Sequence, residues 1–297
     1  MSAFVEWKRY RGTGVTGAGR PVATPGEPGR YLADSKLVTA VNTALAVKQP
    51  LLVTGEPGTG KTKLAWSIAG ELDLGDVLEF HTRSDHQARD VLYEFDYLGR
   101  FYHAQTRDPR VEQLKTYVKY GPLGEAIRSA TERVVLIDEI DKAPRDFPND
   151  LLDQLDRMQF QVPELDQTFV STMRPVVVIT SNSERQLPDP FLRRCVFHRI
   201  EFPGTGQLEE IVRERLGDLQ LSDRLVKVAT ARFEQIRAIA GLEKKPSTAE
   251  LLAWVRVLRV AGVDTSELER LAIADLPFMG AVAKSEQDQT VLAAARG

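Results

Sequence analysis

Gly55-Glu56-Pro57-Gly58-Thr59-Gly60-Lys61-Thr62 is the stretch that decides the fold. It matches G-x-x-x-x-G-K-T without a departure. Glycines at these places let the backbone wrap a phosphate and turn its N–H groups inward. The helix expected after them presents its N-terminus to the same anion. Lys61 is placed to reach the β- and γ-phosphates of a nucleotide, and the Thr62 hydroxyl to bind magnesium; Lys63 completes the set assigned to nucleotide binding. A chance Gly-rich turn is the competing explanation. The flanks disfavour it: the apolar run Leu51-Leu52-Val53 precedes the loop, and Leu64, Ile68 and Leu72 follow at helical spacing.

Upstream, Leu37, Val41 and Leu45 recur at helical spacing in a helix that ends before Pro50. Downstream, Val77 to Thr82 reads as a strand. Val134 to Ile137 is a continuous apolar run bounded by charge, the mark of a strand buried on both faces, and Pro175 to Thr180 is another. Phe147 to Met158 is amphipathic and helical. Strands separated by helices imply a parallel sheet covered on both sides, the α/β architecture of a P-loop NTPase. After Pro203 three helical stretches follow, at 207–216, 223–240 and 248–260, with no strand run between them. The expected organisation is a flexible N-terminal arm at 1–30, dense in Gly and Pro, or else an extension that docks elsewhere, with order beginning near Tyr31. A nucleotide-binding α/β domain then occupies 31–203, a small all-helical lid domain 204–280, and a tail 281–297.

Composition bounds the rest. The 297 residues are 42% hydrophobic and 27% charged, ordinary globular values that argue against a disordered chain. Basic residues number 39 and acidic 42, for a net charge of −3, so bulk charge gives no reason to expect nucleic acid. The single cysteine, Cys195, excludes an internal disulfide; set among apolar residues, it reads as a small buried hydrophobe. Cytoplasmic residence is the expectation. No apolar run approaches the ~20 residues of a membrane span. The histidines, at 81, 86, 103 and 198, show no metal-ligand spacing.

Three further places carry chemistry. Val134-Val135-Leu136-Ile137 ends in Asp138-Glu139. Asp138 would hold the magnesium through its water shell, and Glu139 would polarise an attacking water. Alone, two acids at a strand end would be solvated; after a phosphate loop, at the end of the sheet where ligands bind, they point to hydrolysis. Asn182, at the tip of the run from Val176, is placed to orient that water, the alternative being a turn-forming Asn. Arg193 and Arg194 follow a short helix. One of them could reach across a subunit interface to a transferring phosphoryl group, an effect of about 10³–10⁵ in rate; otherwise they are solvated or salt-bridged.

These pieces, in this order, resemble the AAA+ superfamily, and within it the MoxR-type ATPases. Tyr120-Gly121-Pro122-Leu123 is similar to that family's G-P-[LI] segment, and Asp138-Glu139-Ile140-Asp141-Lys142-Ala143-Pro144 to its D-E-I-[ND]-[RK]-A-P stretch. Asn149 with Leu151-Leu152, and Leu187-Pro188 with Arg194, resemble its next helix and its finger segment. The likeness runs strongly from Tyr31 to Pro203 and weakly beyond. It implies Walker A at Gly55–Thr62, Walker B at Asp138 and Glu139, sensor 1 at Asn182, and an arginine finger at Arg194 with Arg193 as neighbour. It further implies ATP and Mg²⁺, a hexameric ring with ATP at subunit interfaces, and a protein substrate or partner, in some members one with a von Willebrand factor A domain. The sensor-2 arginine is missing: Ala249 stands there, and Lys245 is the candidate replacement. Ser247 and Glu250 read as a capping box.

Two functions compete. One is an ATP-driven remodeller of a protein, active as a ring. The other, suggested by Ala249, is a nucleotide-gated switch or scaffold with slow hydrolysis in a signalling or defence assembly. A DNA-associated motor is a weaker third. Tyr93 to Tyr102, with alternating aromatics and acids, is expected to be an extended strand turning near Gly99; it is either a pore element or a local aromatic cluster. Met158 to Val162 resembles the hairpin that precedes sensor 1.

Overall fold

The computed structural model describes residues 9–22, 31–182 and 185–295. They form two compact units, one of 9–22, 31–55, 60–182 and 185–200, the other of 56–59 and 201–295.

The first unit is built on five parallel strands in the order β2-β5-β8-β1-β9. These are β1 (Leu51–Gly55), β2 (Leu78–His81), β5 (Val134–Asp138), β8 (Val176–Ser181) and β9 (Val196–Ile200). The apolar runs divide between the two faces residue by residue, because successive side chains of a strand point to opposite sides. Leu51, Val53, Val134, Leu136, Val176 and Val178 meet helices α1 (Ser35–Val47) and α2 (Lys61–Leu72) through Leu37, Val41, Leu64 and Ile68. Leu52, Val135, Ile137, Val177 and Ile179 meet α4 (Pro122–Arg128), α5 (Phe147–Asp150), α6 (Leu152–Arg157) and α7 (Asp189–Leu192) through Leu123, Ile127, Phe147, Leu155 and Phe191. Each such side chain contributes about 1.5–3 kcal/mol on burial. The two-faced parallel sheet expected from the sequence is the one present, and the amphipathic run 147–158 is split into α5 and α6 at Leu151.

The described part of the N-terminal arm is docked, against the expectation of a flexible one. Tyr10 is fully buried, its hydroxyl 2.8 Å from Ser67 Oγ. The Asn42 amide accepts the Tyr10 N–H at 3.0 Å and donates to the Tyr10 carbonyl at 2.7 Å. The Glu71 carboxylate accepts the backbone N–H groups of Arg11, Gly12 and Gly14 at 3.0, 3.1 and 2.7 Å. Val22 lies so close to α2 that a Cβ on Gly70 would stand 2.4 Å from it. Gly and Pro density predicted mobility, but Gly12 lies so close to α1 that a Cβ there would stand 2.6 Å from Val38. The rest of the proposed arm, 1–8 and 23–30, lies outside the described residues.

The aromatic stretch also departs from expectation. Tyr93–Phe95 (β3) pairs antiparallel with Val118–Tyr120 (β4), and Tyr97–Gln105 is a helix, α3, rather than more strand. The Asp96 side chain accepts the Gly99 N–H at 2.8 Å, an N-cap that starts the helix where a turn was expected. The hairpin before β8 is present as β6 (Gln159–Val162) and β7 (Gln167–Val170).

The second unit is helical in the described residues beyond 201: α8 (Thr205–Arg215), α9 (Asp223–Ala238), α10 (Thr248–Val260), α11 (Thr265–Arg270) and α12 (Glu286–Ala294), with short 3₁₀ turns. Leu208, Val212, Phe233, Trp254, Val255 and Leu268 form its core. The capping box of Ser247 and Glu250 opens α10. Asp288 of α12 is buried and accepts the Glu243 N–H at 2.7 Å, which ties the expected tail to the unit. No helix among the described residues is long and apolar enough to cross a membrane.

Candidate active site

The site collects at the carboxyl ends of β1, β5 and β8, where a parallel sheet opens toward ligands. Gly60 takes the left-handed conformation (φ 85°) and starts α2 without a capping side chain. The first N–H groups of a helix have no acceptor within the helix itself, and the dipole favours an anion at that end. Lys61 is buried, and its Nζ donates to the Gly55 carbonyl at 2.9 Å, back toward the end of β1.

Asp138 ends β5 on the α2 side of the sheet. The Thr62 hydroxyl donates to its Oδ1 at 3.0 Å. Two hard oxygen donors this close, beside a phosphate-binding helix end, suit Mg²⁺ and not a soft metal. The same Oδ1 accepts the Thr180 hydroxyl at 2.6 Å, and a ring nitrogen of His81 lies 3.4 Å from Oδ2. Glu139 turns the chain out of the strand with φ 55°, and its N–H donates to Thr180 Oγ1 at 2.8 Å.

Asn182 Nδ2 donates to Glu139 Oε1 at 3.1 Å. The Asn182 N–H in turn reaches the Asp141 carboxylate, at 3.1 Å to Oδ2. Lys142 Nζ stands 2.5 Å from Glu139 Oε2. The Lys142 ammonium, together with the Asn182 amide, holds the Glu139 carboxyl below the usual carboxylate range, against the opposing effect of burial. The structure therefore brings together Thr62, Asp138, Glu139 and Asn182, in bonding contact or linked through Thr180, and Lys61 acts on the Glu139 carboxylate through its charge.

Residues 50–195 match the AAA domain of the dynein-related subfamily. The chain is also similar to chaperone protein ClpB of Meiothermus ruber, 29% identical over 212 residues, which is 65% of this chain and 21% of the relative. It is similar to chaperone protein ClpB 1 of Synechocystis sp. as well, 31% identical over 167 residues, 52% of this chain and 17% of the relative. This chain carries an AAA+ ATPase domain. It spans about a fifth of the length of the curated relatives it matches.

Of the other expected residues, Arg193 and Arg194 belong to the same unit and make no bond to this cluster among the described residues. Arg194 is ion-paired, its Nε 2.6 Å from Asp156 Oδ2 and its Nη1 3.1 Å from the Pro190 carbonyl. Arg193 is exposed, with no polar partner among the described residues. Burial pushes the Cys195 thiol up to about 12, so it is an unreactive filler beside them. In the helical unit Lys245 and Ala249 are exposed. Within that unit, which includes the loop residues Glu56, Pro57, Gly58 and Thr59, sequence reasoning missed Arg237. Its Nη2 is 2.7 Å from Glu56 Oε2, its guanidinium lies 3.3 Å from the centre of the Phe202 ring, and it also donates to the Pro246 carbonyl. In the sequence it is one cation on a charged helix face, and nothing local separates it from the others.

Proposed function

We propose that the protein is a MoxR-type AAA+ ATPase that binds ATP with Mg²⁺ at the subunit interfaces of a ring, a hexamer, and spends hydrolysis on remodelling a protein partner, such as one with a von Willebrand factor A domain. The observation that carries the reading is the contact chain Asn182–Glu139 at 3.1 Å beside Asp138–Thr62 at 3.0 Å. A held carboxylate next to a pair of magnesium-type oxygens is what water attack on a terminal phosphate requires.

Each residue has a task. Gly55, Glu56, Pro57, Gly58, Thr59 and Gly60 shape the loop that receives the phosphates, while Lys61 and Lys63 supply positive charge. Thr62 and Asp138 would hold the Mg²⁺, which when bound neutralises charge between the β- and γ-phosphates. Glu139 accepts a proton from the attacking water as the new P–O bond forms and the bond from the γ-phosphorus to the departing ADP oxygen breaks, and Asn182 fixes the carboxylate that does so. Arg194, with Arg193 beside it, is assigned to the phosphoryl group bound by a neighbouring subunit. Lys245 is assigned the charge that Ala249 lacks. The protein acts in the cytoplasm.

The test is ATPase activity per subunit as a function of protein concentration. Activity should fall on dilution and be lost in Glu139→Gln, which should keep ATP bound. Activity that stays flat on dilution would overturn the ring. Proteins that co-purify with the Glu139→Gln form are the partner candidates. The Lys142–Glu139 ion pair favours a second reading, a nucleotide-gated switch with slow hydrolysis in a signalling or defence assembly. Multiple turnovers stimulated by a protein substrate would dispose of it.

A further inference from the structure

The hydroxyl of Thr180 joins the two acids of the site, and neither the sequence motifs nor the assigned roles include it. Thr180 is fully buried. Its placement follows from strand parity. On β5 and β8 the even-numbered residues Val134, Leu136, Val176 and Val178 face α2, and the odd-numbered ones face away. Asp138 and Thr180 continue the even series, one step beyond the paired residues Ile137 and Ile179. They thus stand side by side on the face where α2 begins with Lys61 and Thr62.

One hydroxyl has one proton to give and lone pairs to receive. Thr180 spends the proton on Asp138 Oδ1 at 2.6 Å and accepts the Glu139 N–H at 2.8 Å. The first bond fixes which way the Asp138 carboxylate faces and leaves Thr62 to share the same oxygen. The second satisfies the N–H of a residue in the left-handed region, where a residue with a Cβ is strained and stays only if surrounding contacts hold it. That backbone turn aims the Glu139 side chain toward Asn182. A valine, as common in buried strands and nearly the same shape, would pack here equally well, so packing gives no reason for the hydroxyl.

We propose that Thr180 is a positioning residue for ATP hydrolysis. It holds the metal-binding Asp138 and the water-polarising Glu139 in fixed relation, so its hydroxyl governs turnover and the magnesium requirement while leaving metal-free nucleotide binding alone. The proposal rests on the ATPase reading given above. The test compares Thr180→Ser and Thr180→Ala, which leave similar space and differ in the hydroxyl, with Thr180→Val as the isosteric form. Steady-state hydrolysis gives kcat and KM; a fluorescent ATP analogue gives Kd without Mg²⁺ and the Mg²⁺ concentration that half-saturates tight binding.

Thr180→Ser should keep kcat within threefold of the parent chain. Thr180→Ala and Thr180→Val should lose at least tenfold, need several-fold more Mg²⁺, and keep the metal-free Kd within twofold. Ala or Val forms within twofold of the parent in kcat, or a Ser form that falls as far as Ala, would overturn the proposal. If Thr180→Val does not fold, the Ser and Ala pair decides alone. Absence of hydrolysis by the parent chain would instead count against the ATPase reading itself.

Discussion

Lys142 Nζ stands 2.5 Å from Glu139 Oε2, three residues along the same turn, so the carboxylate proposed to polarise water is ion-paired. A carboxylate held by an ammonium is a weaker base than a free one, and its pKa lies below the ordinary range. The pairing costs little to break: the two side chains are 46% and 37% exposed, and such pairs contribute about 0–1 kcal/mol.

Lys142→Met should therefore change the pH–rate profile. In the proposed role Glu139 works as the ionised form, so activity should be lost as pH falls through its pKa. With Lys142 present that pKa is depressed; without it the pKa rises toward the ordinary value. The acid limb of kcat should move to higher pH, and the plateau rate should rise by about two- to threefold as the base strengthens. An acid limb that stays in place would show that Lys142 is disengaged from Glu139 in the working state.

The docked arm predicts a stability effect at a distance from the chemistry. Tyr10→Phe removes the hydroxyl that meets Ser67 and should cost about 1 kcal/mol. Tyr10→Ala leaves a cavity against α1 and α2 and should cost about 3–5 kcal/mol. Thermal melts of both variants check this. If Tyr10→Ala melts with the parent, residues 9–22 are not held against the first unit in solution.

How much of this was legible in the sequence depends on whether the cause was local. The buried strands were, since four apolar residues between charges, as at Val134 to Ile137, have few other ways to satisfy themselves. So was the loop, because its residue types are dictated by phosphate geometry. The capping box at Ser247 and Glu250 was readable for the same reason: both bonds lie within one turn. Where the arm docks was not legible, because its partners, Asn42, Ser67 and Glu71, lie 32 to 60 residues away. The aromatic stretch was misread because period-two alternation at Tyr93–Phe95 was carried past Asp96, whose capping bond ends it. Thr180 and Arg237 were passed over because their roles exist only in contacts that folding creates.

Helix α3 has no buried residue and exposes Tyr97, Leu98, Phe101 and Tyr102, with Leu98 at 83%. Leu98, the most exposed of the four, should tolerate charge. Leu98→Glu should leave the melting temperature unchanged to within about 0.5 kcal/mol of stability and keep basal ATPase within twofold. If α3 contributes to gripping a protein partner, stimulation by that partner should fall in the same variant. A large drop in melting temperature would mean instead that α3 is covered in the assembled protein.

The finger assignment makes the sharpest demand, because it requires one subunit to act on another. Arg194 and Asp156 are 43% and 47% exposed, so their ion pair contributes about 0–1 kcal/mol and releases the arginine readily to a phosphate. Asp156→Asn should leave stability nearly unchanged. Arg194→Ala should bind ATP normally and hydrolyse it about 10³-fold more slowly. Arg193→Ala separates the neighbours: the exposed Arg193 should matter less than Arg194 if the assignment is right. Mixing is decisive. A Glu139→Gln subunit has a dead site but an intact arginine, while an Arg194→Ala subunit has an intact site and no arginine to offer. If the arginine acts in trans, a mixture of the two should hydrolyse ATP faster than either alone, since the first subunit supplies what the second lacks. An arginine acting only within its own subunit leaves both sites crippled, and the mixture would show no gain.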